Sequence, residues 1–382
     1  MTDNRCVRSG GYFIPINSPA FEKIKKTYKC KNPAFAQAHA LHKKHKYVEI
    51  PPEHIYACLT IPLWHPWGGG LMIPRGIDLK DYGLKHISKT SFPPLRTGDE
   101  SLHFKEGIKL RDYQQQGVDA LVENGEGVIV APCGAGKTMM GVGSILRYKT
   151  RAVILLHTND LADQWRMRIE SQVRTASGAV PKVTMYGGSK KDDSGQIVIA
   201  TFQTLSNMRF DDLLEFGKKF GMCIVDEAHH VPAATFSEVM MGMPAKIRLA
   251  LTATPDRPDG LGEIMYWHFG KTLKSITTPE LIKMGNVLAP VVEFTPTYWT
   301  PKHNKGEWTK LINEMCSDEN RNQKILDMVQ QHVEAGRQVL VLSGRVQHCI
   351  DLAEQTSNLG ISAATLVGKM SSKQRSEVID LA

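Results

Sequence analysis

Short apolar runs that recur along the chain are the feature that most constrains its fold. Five of them are "GVIVA" from Gly127, "AVILLH" from Ala152, "QIVIA" from Gln196, "MCIVD" from Met222 and "IRLALT" from Ile247. Stretches with helical periodicity, such as residues 158–171, separate them. Apolar runs of strand length that alternate with helices are typical of buried parallel strands joined by crossover helices. We therefore predict an α/β domain built on a parallel sheet.

The first apolar run leads directly into a loop of small residues that begins a helix. Backbone N–H groups in such a loop can approach phosphate oxygens, and the helix N-terminus adds partial positive charge. Lys137 is expected to reach the β- and γ-phosphates of ATP, and the Thr138 hydroxyl to bind Mg²⁺. The usual pattern starts with Gly, whereas Ala131 stands here. The candidate cofactor-binding residues on this loop are Pro132, Cys133, Gly134, Ala135, Gly136, Lys137 and Thr138.

The fourth apolar run ends in two carboxylates, Asp226 and Glu227, within "CIVDEAHH". A strand-end carboxylate beside a phosphate loop can hold Mg²⁺ through water, and its neighbour can orient and deprotonate the attacking water. Asp226 is the predicted metal ligand together with Thr138. Asp226, Glu227 and Lys137 are predicted catalytic residues. The alternative is that the two acids form an exposed turn after a strand.

Positive charge is concentrated near the N-terminus. The 382 residues carry a net charge of +8, and residues 1–50 hold 10 Lys and Arg against 3 Asp and Glu, a balance of +7. Clustered positive charge suits a polyanion such as DNA, although a solvated surface is the alternative. No apolar run approaches the roughly 18 residues of a membrane span, and no signal pattern is present. We therefore expect a cytoplasmic protein that does not contact the membrane, in the host if a phage encodes it.

The ordered motifs from Leu110 onward resemble those of superfamily 2 helicases and translocases. "LRDYQQQGVDAL" resembles the segment that recognises adenine, which implies cofactor contacts for Arg111 and Gln114. "LLHTNDLADQW", which ends at Trp165, and "IATFQTL" resemble two motifs that contact the nucleic-acid backbone. The residues implied there are Thr158, Thr201 and Gln203. "LALTATPDRPDG" resembles the motif that couples hydrolysis to strand movement, through Thr252 and Thr254.

Other segments, among them "ELIKMGNVLAPV" and "VLVLSGRVQHCIDLA", resemble xeroderma pigmentosum type B helicases and phage branch-migration helicases. This resemblance implies that His229 bridges the ATP site and the coupling motif. Residues 1–107, which are basic and close with the turn-rich segment at 88–101, are predicted to form a small α+β accessory DNA-binding domain. The resemblance implies a recombinase-like P-loop domain at 108–297. An incomplete second recombinase-like domain is expected at 298–382, because two motifs of complete motors do not occur before Ala382. Within it, "NRNQKILDMVQQHVEAG" and "VQHCIDLAEQTSNLG" predict two helices, and "QVLVLS" predicts a strand between them. "IPRG", residues 73–76, is similar to a segment that precedes the motor in phage relatives.

The resemblance implies an ATP-dependent DNA helicase or translocase that acts on forked or branched DNA in replication, repair or recombination. ATP and Mg²⁺ are the expected cofactors, single-stranded and forked or branched duplex DNA the expected partner, and a monomer the expected state. A restriction-type translocase and an RNA helicase are alternatives within the enzyme class. A nucleic-acid-binding module that responds to ATP but has no motor activity is the alternative outside it.

Overall fold

The computed structural model describes ten stretches of the chain. They are residues 5–31, 60–62, 64–187, 190–227, 233–254, 262–301, 307–368, 370, 374–375 and 377–378. The chain divides into two compact units, Met1–Ala289 and Pro290–Ala382. Within the described stretches, no helix is long and apolar enough to cross a membrane.

The first part of the chain forms a small mixed sheet with a helix against it. Its elements are β1 (Arg5–Arg8), β2 (Tyr12–Pro15), α1 (Phe21–Thr27), β3 (Lys29–Lys31), β4 (Thr60–Pro62), β5 (His65–Trp67), β6 (Gly70–Ile73), a 3-10 helix (Leu79–Tyr82), β7 (Lys85–Ser88) and β8 (Leu102–Phe104). Five strands pair in the order β5-β6-β2-β1-β7. Helix α1 contacts β6 and buries Phe21 and Ile24. The predicted small α+β part is confirmed.

An eight-stranded sheet follows, with helices on both of its faces. Its elements are α2 (Asp112–Asn124), β9 (Glu126–Val130), α3 (Lys137–Arg147), β10 (Ala152–Leu156), α4 (Asn159–Gln172), β11 (Val173–Thr175), β12 (Val183–Gly187), β13 (Lys190–Lys191), β14 (Ile197–Thr201), α5 (Phe202–Ser206), α6 (Phe210–Gly217), β15 (Met222–Asp226), α7 (Ala233–Met241), β16 (Ile247–Thr252), α8 (Glu263–Phe269), β17 (Thr272–Ser275) and α9 (Thr278–Lys283). Strand β11 pairs with β8 outside the sheet.

The large sheet has the order β13-β12-β14-β10-β15-β16-β9-β17, and only β13 runs antiparallel to its neighbour. Successive residues of one strand enter different cores. Val153 and Leu155 lie in the core on one face, whereas Ile154 lies in the core on the other. This alternation explains why the strands are apolar at every position. All five predicted strands are present, and the predicted α/β domain with a parallel sheet is confirmed.

The small sheet packs against the amino ends of the parallel strands. Arg75, in the "IPRG" segment, forms an ion pair of 2.8 Å with Glu126, the first residue of β9. Arg8 pairs with the other oxygen of the same carboxylate. Buried Arg248, which lies beside Glu126 in register, donates to the carbonyl of Gly10 at 2.5 Å. The accessory residues are therefore fixed at the edge of the sheet opposite to the carboxyl ends of its strands. The predicted boundary at residue 107 stays a prediction.

The second compact unit contains α10 (Trp308–Cys316), α11 (Glu319–Glu334) and α12 (Val346–Asn358). Helices α11 and α12 are the two predicted from the sequence. The strand predicted for "QVLVLS", residues 338–343, is wrong, because no strand is formed in the part of this unit that the structure describes. An extended segment becomes a strand only when a neighbour pairs with its N–H and C=O groups. Here Leu340 and Leu342 are 79% and 83% exposed.

Candidate nucleotide-binding site

Three neighbouring strands bring the predicted site residues together. In the order β15-β16-β9, Asp226 pairs in register with Leu251, and Thr252 pairs with Val130. The phosphate loop follows β9 directly, and the two acids end β15. Because these strands are parallel, their carboxyl ends meet at one edge of the sheet, where open α/β sheets bind ligands. The loop and the acids, 89 residues apart in sequence, are thus separated by one strand.

The phosphate loop turns through two glycines with positive φ. Gly134 has φ 83° and Gly136, which precedes α3, has φ 75°. A Cβ atom at Gly136 would lie 2.5 Å from the side-chain nitrogen of Gln114, so a larger residue would strain the backbone and clash. At the start of the loop, the Ala131 N–H donates to the Thr252 carbonyl at 2.9 Å. The loop is therefore shaped before any ligand binds.

Two buried side chains of α2 make hydrogen bonds with the backbone of the phosphate loop. The Gln114 amide and the Tyr113 hydroxyl both donate to the Ala135 carbonyl, each at 2.9 Å. The Arg111 N–H donates to the Gln114 side-chain oxygen at 2.9 Å, while the exposed Arg111 guanidinium donates to the Tyr113 hydroxyl at 3.1 Å. Sequence reasoning selected Arg111 and Gln114 but missed Tyr113. An aromatic residue between them at the start of a helix was the available signal.

Lys137 is buried at the start of α3, between the loop and the acids. Its ammonium group lies 3.3 Å from a Glu227 carboxylate oxygen and 3.2 Å from the Ala131 carbonyl oxygen. Glu227 has φ 52°, which is rare outside glycine, and its N–H donates to the Leu251 carbonyl at 3.0 Å. A held left-handed residue of this kind is common at functional sites. The strand end therefore directs Glu227 toward the lysine.

Asp226 lies deeper, with 5% of its surface exposed. Its Oδ2 atom accepts a hydrogen bond from the Trp165 indole N–H at 2.9 Å. Burial raises the pKa of Asp226 to about 6; the Trp165 hydrogen bond lowers it, neighbouring Glu227 raises it, and Lys137 lowers it. The other oxygen, Oδ1, is buried and has no hydrogen-bond partner among the described residues. A buried carboxylate oxygen without a donor is suited to a cation.

The residues at this edge fit a magnesium ion bound together with a nucleotide. Mg²⁺ prefers oxygen ligands and is usually held by one or two protein oxygens, phosphates and water. Asp226 and half-buried Thr138 supply that kind of donor. Among the residues that the structure describes, no cluster of three His, Cys, Asp or Glu side chains forms a preformed metal cage. Such a cage is not needed when phosphate oxygens complete the coordination.

The residues predicted to contact DNA lie along the same edge. Thr201 ends β14 and pairs in register with Leu156, the last residue of β10, two residues before Thr158. Both threonines cap helices: Thr158 accepts from the Leu161 N–H and Thr201 from the Thr204 N–H, each at 3.3 Å. The Gln203 side chain is exposed. Contact with DNA by these residues stays a prediction.

The coupling motif begins beside the phosphate loop. The buried Thr252 hydroxyl donates to the Thr254 carbonyl at 2.9 Å and accepts from the Thr254 N–H at 3.3 Å, which forms a tight turn. The Thr252 carbonyl, as noted, accepts from Ala131. His229 lies outside the described residues, so its predicted role stays a prediction. Pro132 and Cys133 lie on the open side of the loop, and the Cys133 thiol is free and exposed.

Comparison with known proteins finds helicases that are similar to this chain in sequence. Residues 107–257 match the family profile described as "Type III restriction enzyme, res subunit". A putative ATP-dependent RNA helicase of Acanthamoeba polyphaga mimivirus is 30% identical over 318 residues, 78% of this chain and 57% of that protein. The DNA 3'-5' helicase XPB of Kineococcus radiotolerans is 27% identical over 286 residues, 72% of this chain and 49% of that protein. This chain thus spans about half the length of these relatives.

Among solved structures, the UvsW helicase from bacteriophage T4 aligns with a TM-score of 0.47 and 17% identity, over 71% of this chain and 99% of that chain. The fold is that of a parallel α/β domain whose carboxyl edge carries a candidate nucleotide-binding site. In sequence, the chain is similar to DNA helicases and translocases of the XPB kind.

Proposed function

We propose that this chain is the ATP-driven motor portion of a DNA helicase or translocase of the XPB-like kind. The observation that supports it most is the arrangement of Lys137, Glu227 and Asp226 at the carboxyl edge of the parallel sheet. Lys137 and Glu227 are 3.3 Å apart, and buried Asp226 keeps one oxygen without a hydrogen-bond partner in the described part of the chain. Phosphoryl transfer needs a cation for the phosphates and a carboxylate for the attacking water, and these residues supply both.

The side chains suggest how nucleotide binding prepares the site. Backbone N–H groups of residues 133–138 bind the phosphates, and Lys137 exchanges its contact with Glu227 for phosphate oxygens. Glu227 then loses its neighbouring cation and becomes the base that accepts a proton from the attacking water. Asp226 and Thr138 would hold Mg²⁺, which when bound offsets negative charge on the phosphate oxygens.

Movement along a strand would begin at the turn formed by Thr252 and Thr254. This turn is hydrogen-bonded to Ala131 at the base of the phosphate loop, so a change in the loop reaches it through a single backbone contact. Thr158, Thr201 and Gln203 would bind sugar-phosphate backbone along the same edge. Short hydroxyl and amide groups can do this without selecting a base sequence. His229 would link the ATP site to the coupling turn.

Forked or branched DNA is the proposed substrate, with residues 1–107 as the accessory part that binds duplex or junction. We place the protein in the cytoplasm as a monomer, acting in replication, repair or recombination. An RNA helicase and a restriction-type translocase are two related alternatives, because one relative is called an RNA helicase and the matching family is described as a restriction subunit. Each alternative predicts a different stimulation of ATP turnover by DNA and RNA.

The deciding experiment measures ATP turnover with no nucleic acid, with single-stranded DNA, with a DNA fork and with RNA of equal length. We expect DNA to stimulate turnover more than RNA does, and the fork to be unwound only with ATP. Stronger stimulation by RNA would contradict the DNA assignment. Nucleotide-dependent DNA binding without any turnover would favour a binding module over a motor.

A further inference from the structure

Trp165 lies against both the strand that carries Asp226 and the helix that follows the phosphate loop, although no role in the site was predicted for it. It lies on α4, at the end of the "LLHTNDLADQW" segment, and is only 1% exposed. Its indole N–H donates to Asp226 Oδ2 at 2.9 Å across 61 residues of sequence. A buried indole N–H without a hydrogen-bond partner would lower the stability of the folded protein. The pairing therefore satisfies two buried polar groups at once.

The phosphate-loop helix fixes the position of the indole ring. Gly141 lies one turn after Lys137 on α3, and a Cβ atom there would come within 2.5 Å of the ring carbon Cη2 of Trp165. The same Cβ would lie 3.1 Å from a methyl carbon of Leu251, the residue that pairs with Asp226 in the sheet. Only glycine lets the helix approach this closely. The ring is consequently held between α3, its own helix and the end of β15.

We propose that Trp165 is a positioning residue for Asp226: its N–H holds one carboxylate oxygen, which leaves the other available to the magnesium ion of a bound nucleotide. This inference rests on the proposed function of the site. A carboxylate can rotate about its Cβ–Cγ bond, and the indole donor on Oδ2 restricts that rotation. The free oxygen is Oδ1, which has no hydrogen-bond partner in the described part of the protein.

The neighbouring charges do not replace this contact. The Lys137 ammonium group contacts Glu227 and the Ala131 carbonyl. The Glu227 side chain is a carboxyl group, so its carboxylate offers Asp226 no hydrogen-bond donor. The indole N–H, a neutral donor on a rigid ring, therefore orients the Asp226 carboxylate. Groups that orient a metal ligand in this way typically change metal affinity by about 10- to 100-fold when they are removed.

The test is calorimetric titration of Trp165→Phe with an ATP analogue that is not hydrolysed, once in EDTA and once in excess Mg²⁺. The Mg²⁺ gain is the affinity for the analogue in excess Mg²⁺ divided by its affinity in EDTA. We expect an affinity in EDTA within about twofold of the unsubstituted protein, because Lys137 and the loop are intact, and a Mg²⁺ gain smaller by about tenfold or more. Trp67→Phe is the matched control, since it removes an indole N–H that donates to Asp211 at 2.6 Å, among residues outside the site.

Gly141→Ala provides a second variant if the smaller ring of Trp165→Phe prevents folding. It keeps the N–H but displaces the ring, and the same loss of Mg²⁺ gain is expected. An undiminished Mg²⁺ gain in a folded Trp165 variant would overturn the positioning role and leave the nucleotide site intact. Equal losses in EDTA and in Mg²⁺ would also overturn it, because they indicate a structural role only. Absence of a Mg²⁺ gain in the unsubstituted protein would overturn both this inference and the magnesium assignment.

Discussion

The Arg75 guanidinium lies 2.8 Å from the Glu126 carboxylate, at the foot of the strand whose other end becomes the phosphate loop. Arg8 of β1 binds the same carboxylate, so two arginines from the N-terminal part of the chain share one acid at the start of β9. Burial lowers the pKa of Arg75 to about 10, while Glu126 raises it. The Arg75 guanidinium therefore remains charged at neutral pH, and Glu126 stabilises this buried charge.

Glu126→Ala should therefore destabilise the protein strongly. It leaves the Arg75 side chain, 1% exposed, without its counter-charge. Removal of one partner of a buried ion pair costs about 3 kcal/mol or more. Urea denaturation monitored by circular dichroism measures this loss. Glu215→Ala is the control, because it breaks an exposed pair with Lys218 and should cost at most about 1 kcal/mol. Equal small losses would mean that the small sheet is not anchored through Glu126.

Lys137→Ala should weaken nucleotide binding without unfolding the domain. The loss of hydrogen bonds between a charged lysine and phosphate corresponds to roughly 1.5–3 kcal/mol, or about 10- to 100-fold in affinity. Calorimetric titration with an ATP analogue measures this change in affinity. Lys219→Ala, which breaks a pair with Asp193 far along the sequence from the loop, should bind normally. An unchanged affinity in Lys137→Ala would contradict the phosphate-loop assignment.

Glu227→Gln should bind nucleotide at least as tightly as the unsubstituted protein and lose turnover. Lys137 would face an amide in place of the carboxylate, now 3.3 Å away, and would be freer to bind phosphate. Removal of a general base lowers turnover by about 10²- to 10⁴-fold. Steady-state ATPase assays beside the binding titration separate the two effects. Turnover that survives would assign the base to another residue.

Asp226→Asn should stabilise the nucleotide-free protein, most clearly at alkaline pH. The folded pKa of Asp226, about 6, lies above its usual 3.8 because of burial and Glu227, with Lys137 and Trp165 acting in the opposite direction. The folded state thus holds the proton more tightly, and stability is lost as pH rises through that interval. We expect a gain on the order of 2 kcal/mol at pH 8 that disappears near pH 4. Thermal melts in EDTA at both pH values check it; a gain that grows on acidification would refute it.

The basic residues near the N-terminus should make DNA binding depend on salt. Deletion of residues 1–107 is a poor test, because it removes Arg8 and Arg75 and uncovers Glu126. A triple substitution of Lys43, Lys44 and Lys46 by Gln, in the "HKKHK" segment, is preferable. The slope of log affinity against log salt should fall by about 0.9 for each lysine that contacts a duplex phosphate. Triple substitution of Lys105, Lys109 and Lys149 by Gln is the charge-matched control, and equal slopes would mean that the charge only keeps the protein in solution.

The sequence alone determined the parts of this protein that depend on local pattern. Continuous apolar runs such as "AVILLH" can only be buried on both faces, which fixed the parallel sheet. The spacing of small residues around Gly134 and Gly136 fixed the phosphate loop, because positive φ and close phosphate approach need them. Two acids that follow one of these strands, Asp226 and Glu227, then predicted magnesium binding and activation of water at the carboxyl edge of the sheet.

The tertiary structure decided which distant side chains complete the site. Trp165 and Tyr113 were visible in the sequence, but hydrogen bonds to Asp226 and to the Ala135 carbonyl depend on how helices pack over the sheet. The anchoring of the small sheet by Arg8 and Arg75 has the same origin. The segment at residues 338–343 has the sequence pattern of a strand but does not form one. A strand forms only where a neighbouring strand makes hydrogen bonds with its backbone, and the local sequence does not specify that neighbour.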